Sequence, residues 1–291
     1  MSSDSPRYLV TAAGGQLGQL VIDGLLRRVA PSQVVATVRS DPPPGLAALG
    51  IEIRHADYER PETLAAAFAG IDRLLLVSSN ELGRRVEQHG NAIAAAREAG
   101  VGLVAYTSLL HADRSPLGIL AREHLASERL LAASGLPYVL LRNGWYTENY
   151  FGFIPSALQY GGLSGSAGDG RIASATRADY ADAAVAVLTA ANPVSGTIHE
   201  LAGDTAYTLA EWAATLAELS GKPVAYRDMP EAAYRDFLVQ VGLPEPLAAM
   251  LANSDAGAAQ GGLYDDSGTL SRLIGRPTTP LRAAMASALG N

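Results

Sequence analysis

A glycine-bearing run, Thr11-Ala12-Ala13-Gly14-Gly15-Gln16-Leu17-Gly18, separates a short apolar stretch from a longer amphipathic one. Glycines between a strand and a helix let backbone N–H groups approach a pyrophosphate, and the helix N-terminus adds partial positive charge. Gly15 and Gly18 fill the last two positions of a GxxGxxG pattern, whereas the first is Ala12 and Gly14 is an additional glycine. Where that first position needs φ > 0, alanine costs about 1 kcal/mol or more relative to glycine. Ala12 therefore bears on both loop geometry and cofactor affinity. Farther on, the second apolar run ends in Thr37-Val38-Arg39-Ser40. NAD-binding folds usually carry Asp or Glu here for the ribose 2′-hydroxyl. Arg39 instead suits a 2′-phosphate and can stack on adenine, the other reading being a solvated surface arginine. A charge-assisted contact is worth about 1.5–3 kcal/mol, so the phosphate reading implies a preference for NADPH over NADH.

Other polar residues follow apolar runs in the same way. Asp57 follows the third and either contacts adenine or caps a helix. Ser78, Ser79 and Asn80 follow the fourth and either face a ligand crevice or form an ordinary polar loop. Trp145, Tyr146, Asn149 and Tyr150 offer either an aromatic and amide-lined wall for a flat substrate or packing between domains. His124 lies on an expected helix, as a proton relay or as a structural histidine; His111 is open in the same way.

The elements that must position these groups form a regular series. Apolar runs at 8–11, 34–38, 51–54, 74–77, 101–107 and 138–141 read as strands, and helical spacing recurs at 17–29, 61–69, 86–99 and 119–134. Continuous apolar character in the strands suits a parallel sheet buried on both faces. Alternation of strands and helices implies βαβ crossovers, hence a Rossmann-type α/β fold with a doubly wound parallel sheet. Residues 41–45 read as a stiff linker, and the glycines at 161–162 and 165–170 as loops. A helix at 178–191 and a strand at 197–201 come next, and from 208 onward the chain reads as mainly helical, at 208–219, 230–241, 244–252 and two later pieces. The expected division is a nucleotide-binding domain at 1–150, to which 176–203 returns, and a smaller helix-rich, substrate-covering domain at 151–291. A cleft between two such domains is the default ligand site.

Composition narrows the chemistry. There are 291 residues, 48% hydrophobic and 18% charged, with net charge −7 and no cysteine. That removes disulfides, thiolate metal sites and cysteine nucleophiles. Lys and Arg form no basic face, so no nucleic-acid partner is expected. The five histidines are dispersed without a metal-ligand spacing, so no metal is expected. No uncharged apolar stretch approaches the length of a membrane span, and the first residues lack a secretory pattern, so the expected location is cytoplasmic.

Four longer runs carry a resemblance: 15–18, 106–113, 141–146 and 168–180. They read Gly-Gln-Leu-Gly, Tyr-Thr-Ser-Leu-Leu-His-Ala-Asp, Leu-Arg-Asn-Gly-Trp-Tyr and Gly-Asp-Gly-Arg-Ile-Ala-Ser-Ala-Thr-Arg-Ala-Asp-Tyr. On these the chain resembles the NmrA-like branch of atypical short-chain dehydrogenase/reductases, and most closely the bacterial type 2 NAD(P)H:quinone oxidoreductases. The resemblance implies NADPH contacts from Ala12, Ala13, Gly14, Gly15, Gln16 and Leu17, from Arg39, from Ser78, Ser79 and Asn80, from Asn143, Gly144, Trp145, Tyr146, Thr147 and Glu148, and from Ser174. It implies hydride transfer to a quinone, a small-molecule partner. Related members reduce triphenylmethane dyes and others only sense NADP, so a reductase of dyes or other conjugated electrophiles and a non-catalytic redox sensor stand as alternatives. Ordinary members of the superfamily use a Tyr-x-x-x-Lys pair on the helix after the fifth strand. Residues 119–134 contain neither residue, and Ser108 lacks those partners. Quinone reduction needs no strong protein acid. Tyr146 is a candidate hydrogen-bond donor to the substrate, and a lysine near the position of His124 in the isoflavone-reductase branch makes that histidine a second catalytic candidate. The oligomeric state is not legible.

Overall fold

The computed structural model describes residues 5–290. In chain order the elements are β1 (Tyr8–Val10), α1 (Gln16–Leu26), β2 (Val34–Val38), α2 (Pro44–Ala47), β3 (Glu52–His55), α3 (Pro61–Phe68), β4 (Arg73–Leu76), α4 (Arg85–Glu98), β5 (Leu103–Leu109), α5 (Gly118–Ala133) and β6 (Tyr138–Asn143). There follow α6 (Ile154–Tyr160), β7 (Gly162–Gly165), α7 (Arg177–Thr189), β8 (Thr197–Leu201), α8 (Leu209–Ser220), β9 (Ala225–Asp228), α9 (Glu231–Gln240), α10 (Glu245–Ala259), α11 (Thr269–Ile274) and α12 (Leu281–Leu289).

Seven strands form one sheet in the order β3-β2-β1-β4-β5-β6-β8. β1 pairs in parallel with β2 and β4, β2 with β3, and β4 with β5. Gly196 N–H bonds to Tyr138 O and Gly144 N–H to Leu201 O, so β6 and β8 also advance together. This is the doubly wound Rossmann-type α/β sheet expected from the alternation of elements. Every residue of β1, β2 and β5 is buried, which is why those strands read as unbroken apolar runs. On one face Leu9, Leu64, Phe68, Leu74, Leu76 and Tyr106 belong to one core. α1 buries Leu17, Val21, Ile22 and Leu25, and a Cβ on Gly24 would stand 2.8 Å from Val185 of α7.

The chain forms two compact units, residues 1–109, 123–142 and 177–199 in the first and 110–122, 143–176 and 200–291 in the second. In the second, β7 pairs in parallel with β9, Gly162 opposite Ala225 and Gly165 opposite Asp228. α8 opens with a capping box, Thr208 Oγ1 accepting from Glu211 N–H and Glu211 Oε2 from Thr208 N–H, and ends at Gly221 in the left-handed region. α9 and α10 enclose Tyr234, Leu238, Ala248 and Ala252.

Several boundaries depart from expectation. The segment read as a stiff linker runs into α2, Pro44 serving as its first helical residue where no N–H is needed. Gly162–Gly165 is a strand, because a partner some sixty residues later satisfies its backbone. α10 runs on to Ala259, beyond the expected 252, since Ala252, Asp255, Gly257 and Ala258 all have buried surfaces. α1 stops at Leu26, short of Val29, with a turn before Pro31. Among the described residues no helix is long and apolar enough to cross a membrane.

Candidate active site

In the first unit the sheet order reverses between β1 and β4, the place where open α/β sheets accept ligands beyond their strand ends. Three segments of interest leave the sheet at neighbouring strands: the glycine turn after β1, Arg39 after β2, and Ser78–Asn80 after β4. Ala12 has φ +49°, one of two non-glycine residues at positive φ among those described. Its carbonyl accepts from Gly15 N–H at 2.9 Å, and Ala13 N–H bonds to Thr37 O at 2.9 Å, which ties the turn to β2. Gly14 is not at positive φ, and a Cβ there would meet only ordinary contacts, the nearest 3.6 Å away. The additional glycine therefore does not take over the left-handed position; alanine holds it. Gly18 has a different task. A Cβ there would lie 2.6 Å from Ala12 O and 2.7 Å from Ala13 Cα, so glycine lets α1 press against the turn.

Gly15 caps α1 without a side-chain hydrogen bond, and the first turn of α1 holds no acidic residue. The leading N–H groups and their partial positive charge are thus presented without a carboxylate of the helix itself. Arg39 is 63% exposed and its Nη1 donates to Glu81 Oε1 at 3.0 Å. Burial works against the Glu81 charge, but hydrogen bonds from Gln88 and Arg39 outweigh it and hold the carboxyl below the usual range. Ser78 N–H donates to Thr107 Oγ1 at 2.8 Å and Ser79 N–H to His89 Nε2 at 2.9 Å. Asp57 Oδ1 accepts from Glu59 N–H at 3.0 Å, a local turn ahead of α3. Tyr58, absent from the sequence expectations, places its hydroxyl 2.5 Å from Thr11 Oγ1 and 2.9 Å from Val77 O, joining β1 to the end of β4.

Behind these segments lies a buried polar layer. Ser108 Oγ donates to Glu128 Oε1 at 2.5 Å, and Arg142 grips the same carboxylate through Nε at 2.9 Å and Nη2 at 2.7 Å. The serine hydroxyl is therefore committed to Glu128. His89 Nε2 accepts from Ser79, so its Nδ1 carries the proton and donates to Ser127 Oγ at 2.9 Å. Burial, reinforced by Arg85, pushes His89 down to about 3. His124 Nδ1 and the Tyr106 hydroxyl are hydrogen-bonded at 2.8 Å, and burial, then Arg85 and His89, hold the histidine well below the usual range. His124 is thus buried and held neutral, with one ring nitrogen hydrogen-bonded.

The second unit brings together the other expected group. Gly144 N–H bonds to Leu201 O, Thr147 N–H to Ala175 O and Ala175 N–H to Trp145 O, which lays 143–147 along 174–175. Thr147 Oγ1 and Ser174 Oγ are 2.8 Å apart, and Ser174 Oγ lies 2.7 Å from the Tyr207 hydroxyl. Tyr207, which no motif announced, completes this chain of hydroxyls. Asn143 is 4% exposed and its Oδ1 accepts no hydrogen bond among the described residues. Trp145, Tyr146, Glu148 and Asn149 are half-buried. Tyr150 is buried, its hydroxyl donating to Asp255 Oδ1 at 3.2 Å while Ser166 N–H donates to Oδ2 at 3.1 Å. Burial pushes Asp255 up to about 6. Tyr150 therefore also packs within its own unit.

The chemistry of these donors fits a phosphorylated dinucleotide. In the first unit α1 offers N–H groups to diphosphate, Gly18 lets α1 press against the turn, and Arg39 offers a guanidinium. A sequence model of the NAD(P)H-binding family matches residues 12–191. The chain is 55% identical to quinone oxidoreductase 2 of Escherichia coli strain K12 over 273 residues, 94% of this chain and 95% of that protein. The chain belongs to the NAD(P)H-binding, NmrA-like family. Among solved structures of NAD(P)H-binding proteins, the NADPH-dependent quinone oxidoreductase of E. coli complexed with NADPH superimposes with a TM-score of 0.93 and 54% identity, over 98% of this chain and 100% of that one. The triphenylmethane reductase of Citrobacter sp., complexed with NADP(H), gives a TM-score of 0.91 and 37% identity over 97% and 99%.

Proposed function

We propose that this protein is an NADPH-dependent quinone reductase that passes two electrons to a quinone and yields the quinol. The carrying observation is its 55% identity, across 94% of the chain, to quinone oxidoreductase 2 of E. coli. Bound NADPH supplies the hydride; the protein supplies binding, orientation and exclusion of water. In this reading the N–H groups from Ala12 to Leu17 and the start of α1 hold the diphosphate, and Arg39 takes the 2′-phosphate. Ser78, Ser79 and Asn80 line the crevice beside them. Asn143 to Glu148 and Ser174 supply further contacts, with Asn143 Oδ1 accepting from the cofactor amide. Trp145, Tyr146, Asn149 and Tyr150 wall the quinone, and Tyr146 donates a hydrogen bond to a quinone oxygen.

No strong acid is required. The superfamily's Tyr-x-x-x-Lys pair is missing from α5, and Ser108 is turned to Glu128. A quinone accepts hydride readily, and the resulting quinolate takes protons from water, so the work of these side chains is positioning. His124 serves as structure, and the protein acts in the cytoplasm.

The experiment mixes purified protein with NADPH and panels of quinones and triphenylmethane dyes and follows NADPH absorbance. Turnover with quinones is expected. The 37% identity to the Citrobacter triphenylmethane reductase favours dyes as the second acceptor class, and turnover with dyes alone would replace the quinone reading. Binding without any turnover would favour a redox sensor. Arg39→Ala should weaken NADPH about ten- to a hundredfold, the value of a charge-assisted contact, and leave NADH nearly unchanged.

A further inference from the structure

The guanidinium assigned to the 2′-phosphate already carries an anion of the protein. Arg39 Nη1 donates to Glu81 Oε1 at 3.0 Å, across the ends of β2 and β4. Glu81 is held in its turn. Gln88 Nε2 donates to its other oxygen at 2.9 Å, and its backbone N–H rests on Ser79 Oγ at 3.2 Å.

The segment bearing Glu81 is anchored on both sides. Ahead of it, Ser79 N–H bonds to His89 Nε2 at 2.9 Å; beyond it, Gly83 N–H bonds to Glu123 Oε1 at 2.6 Å. Arg85 closes the frame, its Nη1 2.5 Å from Glu123 Oε2 and its Nε donating to Ser79 O at 2.8 Å. Arg85, His89 and Glu123 are all more than nine-tenths buried, so the frame is part of the core. A carboxylate mounted on such a frame stays beside Arg39 unless its own side chain turns away. An arriving phosphate meets an arginine whose charge is already compensated and a carboxylate that repels it. An arriving ribose hydroxyl meets neither penalty.

We propose that Glu81 is a specificity-determining counter-ion: it occupies Arg39 until the 2′-phosphate of NADPH displaces it, and so narrows the preference for NADPH over NADH that Arg39 alone confers. The proposal rests on the reading that Arg39 receives the 2′-phosphate. The familiar cofactor-selecting acid sits at the end of the second strand; here an acid acts from the end of the fourth, through the arginine.

The test is binding, not turnover. Wild type, Glu81→Gln, Glu81→Ala and Arg39→Ala are titrated with NADPH and with NADH, with thermal melts to confirm that each is folded. Both Glu81 variants should tighten NADPH about two- to fivefold, the span of an exposed ion pair, with NADH unchanged. The gain should shrink as salt screens the pair. If Arg39→Ala loses NADPH selectively while the Glu81 variants leave NADPH binding unchanged, weaken it, or tighten both cofactors equally, the counter-ion role is overturned and the Arg39 reading survives. If Arg39→Ala weakens both cofactors alike, the reading beneath the proposal fails instead.

Discussion

An L-residue in the left-handed region places its Cβ against the following carbonyl, at about 1–2 kcal/mol. Ala12 is in that position at φ +49°, and no neighbouring glycine relieves it. Ala12→Gly should raise stability by up to about 1 kcal/mol, part of the gain being offset by the looser unfolded chain. Urea unfolding would read this as a higher midpoint at constant slope, and an unchanged or lower midpoint would argue that the turn is not strained. Glu128 predicts the opposite sign. Its carboxylate answers both Ser108 and the buried Arg142, so Glu128→Ala removes a buried charge partner of that guanidinium, at a cost of about 3–5 kcal/mol. A loss below 1 kcal/mol in the same unfolding assay would mean that Glu128 is not what holds Arg142 in place. The substitution of Ala12 for glycine was visible in the sequence, because motif position alone implies the backbone demand. Glu81 and Tyr207 were not, since a partner brought from another element leaves no spacing to read.

At the level of elements, the joint between β1 and α1 depends on one missing atom. A Cβ at Gly18 would stand 2.6–2.7 Å from backbone atoms of Ala12 and Ala13, which cannot swing aside as a side chain can. Gly18→Ala should lower stability by about 1–3 kcal/mol, as overpacking does, and weaken NADPH and NADH together because the diphosphate cradle moves. Retention of wild-type affinity for both would show that the turn adapts. The strand and helix rhythm through β6 was legible because parallel strands buried on both faces are apolar throughout and their helices carry a single apolar stripe. β7 was not legible. Its sequence, Gly-Leu-Ser-Gly, says loop, and only pairing with β9 makes it a strand. α10 was cut short for a related reason. Asn253, Asp255 and Gly257 are weak helix formers, but Gly257 faces Leu117, with 3.0 Å left for any Cβ.

For the molecule as a whole, buried titratable groups set the dependence of stability on pH. His89 and His124 are held neutral in the folded state, so below the unfolded value of 6.5 the unfolded chain binds protons that the folded one refuses. Each removes about 1.4 kcal/mol per pH unit of acidification until its folded value is reached. Asp255 works the other way: raised from 3.8 to about 6, its contribution is complete below the unfolded value and is lost as pH rises through 6. Two histidines outweigh one aspartate, and these three groups together should make the protein less stable from pH 6 to pH 4. Asp255→Asn isolates the aspartate. Its stabilisation should be small near pH 4 and reach about 3 kcal/mol at most above pH 7, as follows from a carboxyl moved from 3.8 to about 6. Thermal melts of both proteins at pH 4, 5.5 and 8 measure it, and a pH-independent difference would place the Asp255 pKa near its ordinary value.

The covalent thread leaves the first compact unit after residue 109, rejoins it at 123, departs again after 142 and revisits it from 177 to 199. No single scissile position in the gene releases either half whole. An N-terminal fragment ending anywhere before α7 discards the helix whose Val185 rests against Gly24 of α1. Protein engineers wishing to graft the nucleotide-binding half elsewhere would have to join its three stretches with new linkers in place of 110–122 and 143–176.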